Sequence, residues 1–310
     1  MPHLLAATSM IERVKEFINA VCQPHWFMIL SVLGLVIFLR FYRTLTRPAV
    51  AGPLAALGLL AFLASCMDEN FAKIVTKADN VPIVMMMFAI SFVIWLAFRQ
   101  AAINDENIEA GRPLTEAGAD DKVLVWPDLV YIELISLVLC TAFLTVWAIV
   151  LRAPLEQPAD PNIAPNPAKA PWYFLGLQEM LVYFDPWLAG VVFPGLIVVG
   201  LIAIPYIDKN PRGNGYYTFK ERPFAISTFL AGFLVLWVLL IIFGTFLRGP
   251  NWNFFGPYEY WDLHRPAALL NVEPRDLFWI DIMGLGIPKN FLVRELPGIL
   301  LIAGYFILGP

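Results

Sequence analysis

The sequence predicts an all-α integral membrane protein with about seven transmembrane helices and a surface helix in the loop between spans four and five. Three observations predict it. The chain of 310 residues is 59% hydrophobic and 15% charged, whereas a soluble domain carries about a quarter charged residues. The charges gather in loops and leave seven charge-free windows: 27–39, 48–67, 80–98, 134–151, 186–207, 223–247 and 296–310. Between the fourth and fifth windows, a polar stretch with prolines at 154, 158, 161, 165, 167 and 171 gives way to the proline-free apolar run 172–183.

Each element follows from the chain in order. Residues Leu4–Cys22 mix Glu12, Arg13, Lys15 and Glu16 with apolar residues. That pattern is unlike the apolar core of a cleaved leader and suits an amphipathic helix at the membrane interface. A spanning helix needs about 20 apolar residues. The second, third, fifth and sixth windows meet this directly. The first does so if Arg40 snorkels to the interface, and the fourth once Trp126–Glu133 supplies its first turns. The seventh has 15 residues and reaches the end of the sequence, so a longer natural chain is expected. Residues 101–121 are acidic and read as a soluble linker, which divides the chain into an N-terminal three-span region, 1–125, and a second region, 126–310.

Two sets of loops alternate along the chain. The set 40–49, 99–125 and 208–222 holds as many Lys and Arg as the opposite set, in far fewer residues. This density puts the first set in the cytoplasm and the loops 152–185 and 248–293 on the outer face of the membrane. No basic stripe offers itself to nucleic acid, so the bilayer is the partner that composition names.

The chemistry available to the chain is limited. His3, His25 and His264 are the only histidines, and none lies within a window. The chain therefore lacks the facing His pair that holds a membrane haem. Cys22, Cys66 and Cys140 are far apart and form no Cys-x-x-Cys, which excludes a cysteine-held cluster or covalent haem; no metal ligands are expected. No window carries the mid-membrane charge that marks an ion path. Glu133 and Asp128 read as interfacial carboxylates at the start of the fourth span. The crowd of aromatic residues at 252–261 reads as an interfacial belt. The most informative stretch is 166–180, Asn-Pro-Ala-Lys-Ala-Pro-Trp-Tyr-Phe-Leu-Gly-Leu-Gln-Glu-Met. A stiff proline strap feeds a helix that opens at Pro171 and bears three aromatic residues and a carboxylate, Glu179. By its residues alone, this is either an interfacial helix with aromatic anchors or the roof of a pocket.

The order from Trp126 onward is span, proline-rich loop with Ala170-Pro171-Trp172-Tyr173, span, basic turn, span, aromatic outer loop, span. It resembles the C-terminal half of cytochrome b, or subunit IV of cytochrome b6f-type complexes. In that family the loop bears Pro-Glu-Trp-Tyr, and its helix forms part of the outer quinol-oxidation pocket. Trp172 and Tyr173 match the motif, while Pro171 stands where the family has its glutamate. The loop variant, residues 166–179, looks like that of bacterial split forms of cytochrome b, in which a separate chain holds both b haems, and this resemblance implies a bacterial inner membrane.

It implies a membrane subunit of a quinol–cytochrome c oxidoreductase, inactive alone, that contributes the outer pocket. Pro171, Trp172, Tyr173, Phe174 and Gln178 would contact menaquinone or ubiquinone. Glu179, two turns after Pro171, would replace the missing glutamate as catalytic proton acceptor. Haem b and haem c would reside on partners: a cytochrome b N-terminal-like subunit, a Rieske-type iron–sulfur protein and a c-type cytochrome. A second possibility is a non-catalytic membrane scaffold of a larger electron-transfer complex. A third, a secondary transporter, lacks the internal repeat and mid-span polar groups it needs.

Overall fold

A computed structural model describes residues 10–118, 123–153, 155, 158–162, 164–208, 217–262, 264, 268 and 273–308. The described residues are helical, with one bridged pair, Arg248 and Phe254, in place of any strand. The amphipathic helix α1 spans Met10–Val21; the part of its expected range before Met10 lies outside the described residues. Among the described residues, six helices are long and apolar enough to cross a membrane: α2 (Pro24–Leu45), α3 (Pro48–Ser65), α5 (Val81–Glu109), α6 (Val125–Val150), α8 (Leu188–Ile207) and α9 (Pro223–Leu247). The short α4 (Glu69–Val75) follows α3, with Asp68 accepting the N–H groups of Asn70 and Phe71 at its start. Helix α7, Trp172–Tyr183, occupies the loop after the fourth span. The seventh window forms α10, Leu296–Leu308, whose 13 residues fall short of the ~20 that a crossing needs. The chain is an all-α, multi-pass membrane protein.

Packing groups the chain into two compact units. One comprises Met1–Phe41, Ala164–Asn214 and Glu221–Pro310; the other comprises Tyr42–Ile163 and Gly215–Lys220. This grouping differs from the sequence division at 125/126.

The core of the first unit lies along α9. Its window is 39% buried, against 0% for α3 and α6, which makes α9 the helix that others pack around. Val235, Leu239, Leu240, Phe243 and Leu247 are buried there, with Phe27, Met28 and Leu35 of α2 and Met180 and Tyr183 of α7 against them. The rings of Phe27 and Phe243 meet edge-on at 5.3 Å. The first span is thus a packing partner of the sixth. Helix α1 rests on the turn after α9: Asn19 Oδ1 accepts the N–H of Tyr258 at 3.1 Å.

In the second unit, α5 runs past its apolar window to Glu109. The expected linker therefore begins as helix, with Ala101, Ala102, Asn104 and Asp105 buried. Helix replaces linker there because the polar side chains find backbone partners. Asp105 accepts from the Tyr42 hydroxyl at 2.7 Å and from the N–H groups of Phe219 and Lys220 at 3.2 and 3.3 Å. Asn104 donates to the Tyr217 carbonyl at 3.0 Å. Glu109, at the helix end, takes Arg43 at 2.8 Å and also pairs with Lys220. A buried carboxylate so satisfied holds residues 217–220, just before α9, against the third span.

Candidate functional site

The site is built on α7 and the end of α9. Pro171 stands before the helix with φ −51° and ψ 147°. Its ring fixes φ in the extended range and sets the angle at which the strap enters the helix. Gln178, two turns on, reaches back to the strap: its Oε1 accepts the N–H of Ala170 at 2.8 Å and its Nε2 donates to the Ala168 carbonyl at 2.9 Å. Lys169 donates to the Thr245 carbonyl at 2.8 Å. That carbonyl belongs to the last turn of α9, where unpaired C=O groups and the helix dipole favour a cation. Asn166 exchanges two hydrogen bonds with Asn251, at 2.9 and 2.6 Å.

Helix α7 divides into two faces. Leu175, Gly176, Glu179 and Val182 are buried. The approach to α9 is close: a Cβ on Gly244 would stand 3.2 Å from the Leu175 carbonyl oxygen. Tyr173 and Phe174 point elsewhere on the helix, and Trp172, Tyr173 and Phe174 remain 39, 47 and 51% exposed. Their rings are stepped, 5.7 Å from Trp172 to Tyr173 and 4.7 Å from Tyr173 to Phe174. Tyr173 and Phe174 thus form a half-covered wall, with Trp172 at the start of the helix, while the carboxylate of Glu179 points inward to α9.

Glu179 is fully buried, and its side chain meets Arg248, itself 5% exposed. Arg248 donates from Nη2 to Oε1 at 2.7 Å and from Nε to Oε2 at 3.0 Å. The Tyr183 hydroxyl donates to Oε1 at 2.8 Å. Burial and the Glu179 charge push the Tyr183 hydroxyl pKa well up. Burial alone would lower that of Arg248, but the hydrogen bond and charge of Glu179 outweigh it and hold the guanidinium charged. Arg248 Nη1 also donates to the Trp252 carbonyl at 3.1 Å. That carbonyl lies in a turn where Asn251 and Trp252 have φ of 55° and 56°. Left-handed backbone at a bulky residue is costly, and structure that persists in it is held by its surroundings. Arg248 and Asn166 do the holding here.

Arg248 is the residue that sequence reasoning missed. The available signal was an arginine directly after a 25-residue charge-free window, opposite a carboxylate in an apolar helix. A charge at the edge of each apolar run calls for a partner.

Residues 158–258 match the family described as cytochrome b(C-terminal)/b6/petD. Over that stretch, about a third of the chain, the sequence is similar to the cytochrome b C-terminal family. No solved structure matches the chain. The cytochrome b C-terminal stretch contains the strap, α7, α8, α9 and the turn after α9, which is the whole of the site described above. The likeness is to the C-terminal part of cytochrome b and to its b6/petD counterparts. Pro171, Trp172, Tyr173, Phe174, Gln178 and Glu179 all lie within the matched stretch. Among the described residues, no group of three or more His, Cys, Asp or Glu could hold a metal ion.

Proposed function

We propose that this chain is the subunit of a quinol–cytochrome c oxidoreductase that supplies the aromatic wall of the outer quinol-oxidation pocket. The carrying observation is the split between the faces of α7. Tyr173 and Phe174 are half exposed on the face of α7 turned away from the one anchored to α9, and Trp172 is exposed at the first residue of the helix. Flat apolar rings with a hydroxyl suit a quinol ring, and a wall open on one side suits completion by a second chain. That second chain would be the haem-bearing cytochrome b N-terminal-like subunit, with a Rieske-type protein and a c-type cytochrome as electron acceptors. The quinol is menaquinol or ubiquinol. The sidedness read from the loop charges puts α7 on the outer face of a bacterial inner membrane.

Glu179 has two roles open to it in this reading. As proton acceptor it would have to leave Arg248, because both of its oxygens are engaged. As an anchor it acts where it stands. The pair favours the anchor, and we assign Glu179 and Arg248 the task of positioning α7; the proton then passes to a group on the partner. Pro171 and Gln178 set the strap rather than touch the ring. The scaffold reading has one observation in its favour: with Pro171 in the motif and Glu179 enclosed, no carboxylate on α7 is open to a ligand. The test is quinol oxidation by the assembled complex with Tyr173→Leu. A large loss of turnover in an intact complex supports the quinol wall; unchanged turnover supports the scaffold.

A further inference from the structure

We infer that α1 lies in the outer leaflet of the bilayer, gripping lipid with one face and the turn after α9 with the other. The inference is independent of quinol oxidation. The helix has two occupied sides. On one, Asn19 accepts the Tyr258 N–H at 3.1 Å, and Lys15 Nζ stands 5.9 Å over the Tyr258 ring. The contact is close, since a Cβ on Gly256 would come within 2.5 Å of the Asn19 side chain. On the side turned away, Met10, Val14 and Phe17 form a stripe at positions i, i+4 and i+7, which share a helix face. They are 83, 48 and 68% exposed, with Ile11 beside them at 67%.

The occupant of this stripe is identified by its continuity with the membrane. Helix α1 ends at Val21 and the first span begins at Pro24. The exposed apolar surface resumes at once with Trp26, Ile29 and Leu30, on a helix that crosses the bilayer. A helix tied this closely to a span, with its polar side docked on protein, has its apolar side at the level of the acyl boundary. Glu12, Arg13, Lys15 and Glu16 sum to zero charge. Insertion therefore rests on apolar burial, with no share from anionic headgroups. The role follows: α1 presses on the turn Gly249–Tyr258 from the membrane side, the turn that Arg248 and Asn166 hold from within.

The test places the photoreactive analogue p-benzoylphenylalanine at Phe17, and separately at Glu16, in the full complex. The complex is reconstituted in phosphatidylcholine bilayers, and in phosphatidylcholine mixed with phosphatidylglycerol. Phe17 is exposed, so the aromatic replacement leaves the fold intact. The expected result on illumination is a phospholipid adduct at position 17, several-fold above position 16 and equal in both bilayers. An adduct with another polypeptide at position 17 would overturn the proposal in favour of a protein partner. So would the absence of any excess over position 16, and an adduct dependent on phosphatidylglycerol would overturn the apolar origin of the contact.

Discussion

Arg248 and Glu179, 69 residues apart in the chain, meet in a buried ion pair in which Arg248 engages both carboxylate oxygens. The pair joins the surface helix α7 to the end of the span α9, and Arg248 continues to the strained turn at Trp252. Helix, span and turn are thereby held as one piece. Breaking such a pair from one side leaves a buried charge unmatched, which costs about 3–5 kcal/mol. The Arg248→Met variant is expected to lose stability on that scale, read as a lower thermal midpoint of the complex and faster protease cleavage of the strap. Unchanged resistance would mean that the apolar contacts of α7 suffice alone.

Tyr173 and Phe174 carry the opposite expectation. They are half exposed and anchor nothing in this chain, so Tyr173→Leu and Phe174→Ala are expected to leave the thermal midpoint unchanged. Each is expected to lower kcat/KM for quinol by about tenfold, equivalent to ~1.4 kcal/mol of transition-state stabilisation. Steady-state oxidation of quinol by the purified complex, scored beside a melting curve, separates this from a folding defect.

Asp105 organises the second unit. Its replacement by Leu strips the Tyr42 hydroxyl and two backbone N–H groups of their acceptor, and each buried group left unmatched costs about 1–3 kcal/mol. The expected result is faster hydrogen exchange at Phe219 and Lys220, with slow exchange retained in α7. Exchange that rises equally in both places would mean that the variant unfolds the chain as a whole.

Glu273 gives a pH-dependent outcome. Burial raises its carboxyl pKa; Arg275 opposes this, while Asp276, Asp185 and Glu295 add to it. A carboxyl raised on folding binds more protons folded than unfolded, so its contribution falls as pH rises above the unfolded pKa. Glu273→Gln removes that burden. The variant is expected to be more stable than the parent at neutral pH, with the difference closing as pH falls below the unfolded range of a glutamate. Thermal midpoints across that range check the sign.

The spans were legible because burial in lipid needs no partner: a charge-free window such as 223–247 marks its helix by itself. Helix α7 was legible from Pro171 and the absence of proline after it. The likeness to the cytochrome b C-terminal family was legible from Trp172 and Tyr173 and the order of loops around them. What escaped were pairings over long sequence distances. Asp105 reads as one more acid in a polar stretch until the backbone of Phe219 and Lys220 arrives to satisfy it. Glu179 reads as a free carboxylate until Arg248 closes on it. The reach of α5 to Glu109 was hidden for the same reason, since its last turns are polar along the chain and buried only in the fold.

The most direct measurement compares Glu179→Gln with the double variant Glu179→Gln/Arg248→Gln for thermal midpoint and quinol oxidation in the assembled complex. In the single variant, Arg248 is left charged and buried; in the double, two neutral amides can bond each other in its place. If the pair positions α7, the single variant loses both stability and oxidation, and the double regains both. A double variant that regains stability while quinol oxidation stays low would contradict the anchor and make Glu179 the proton acceptor.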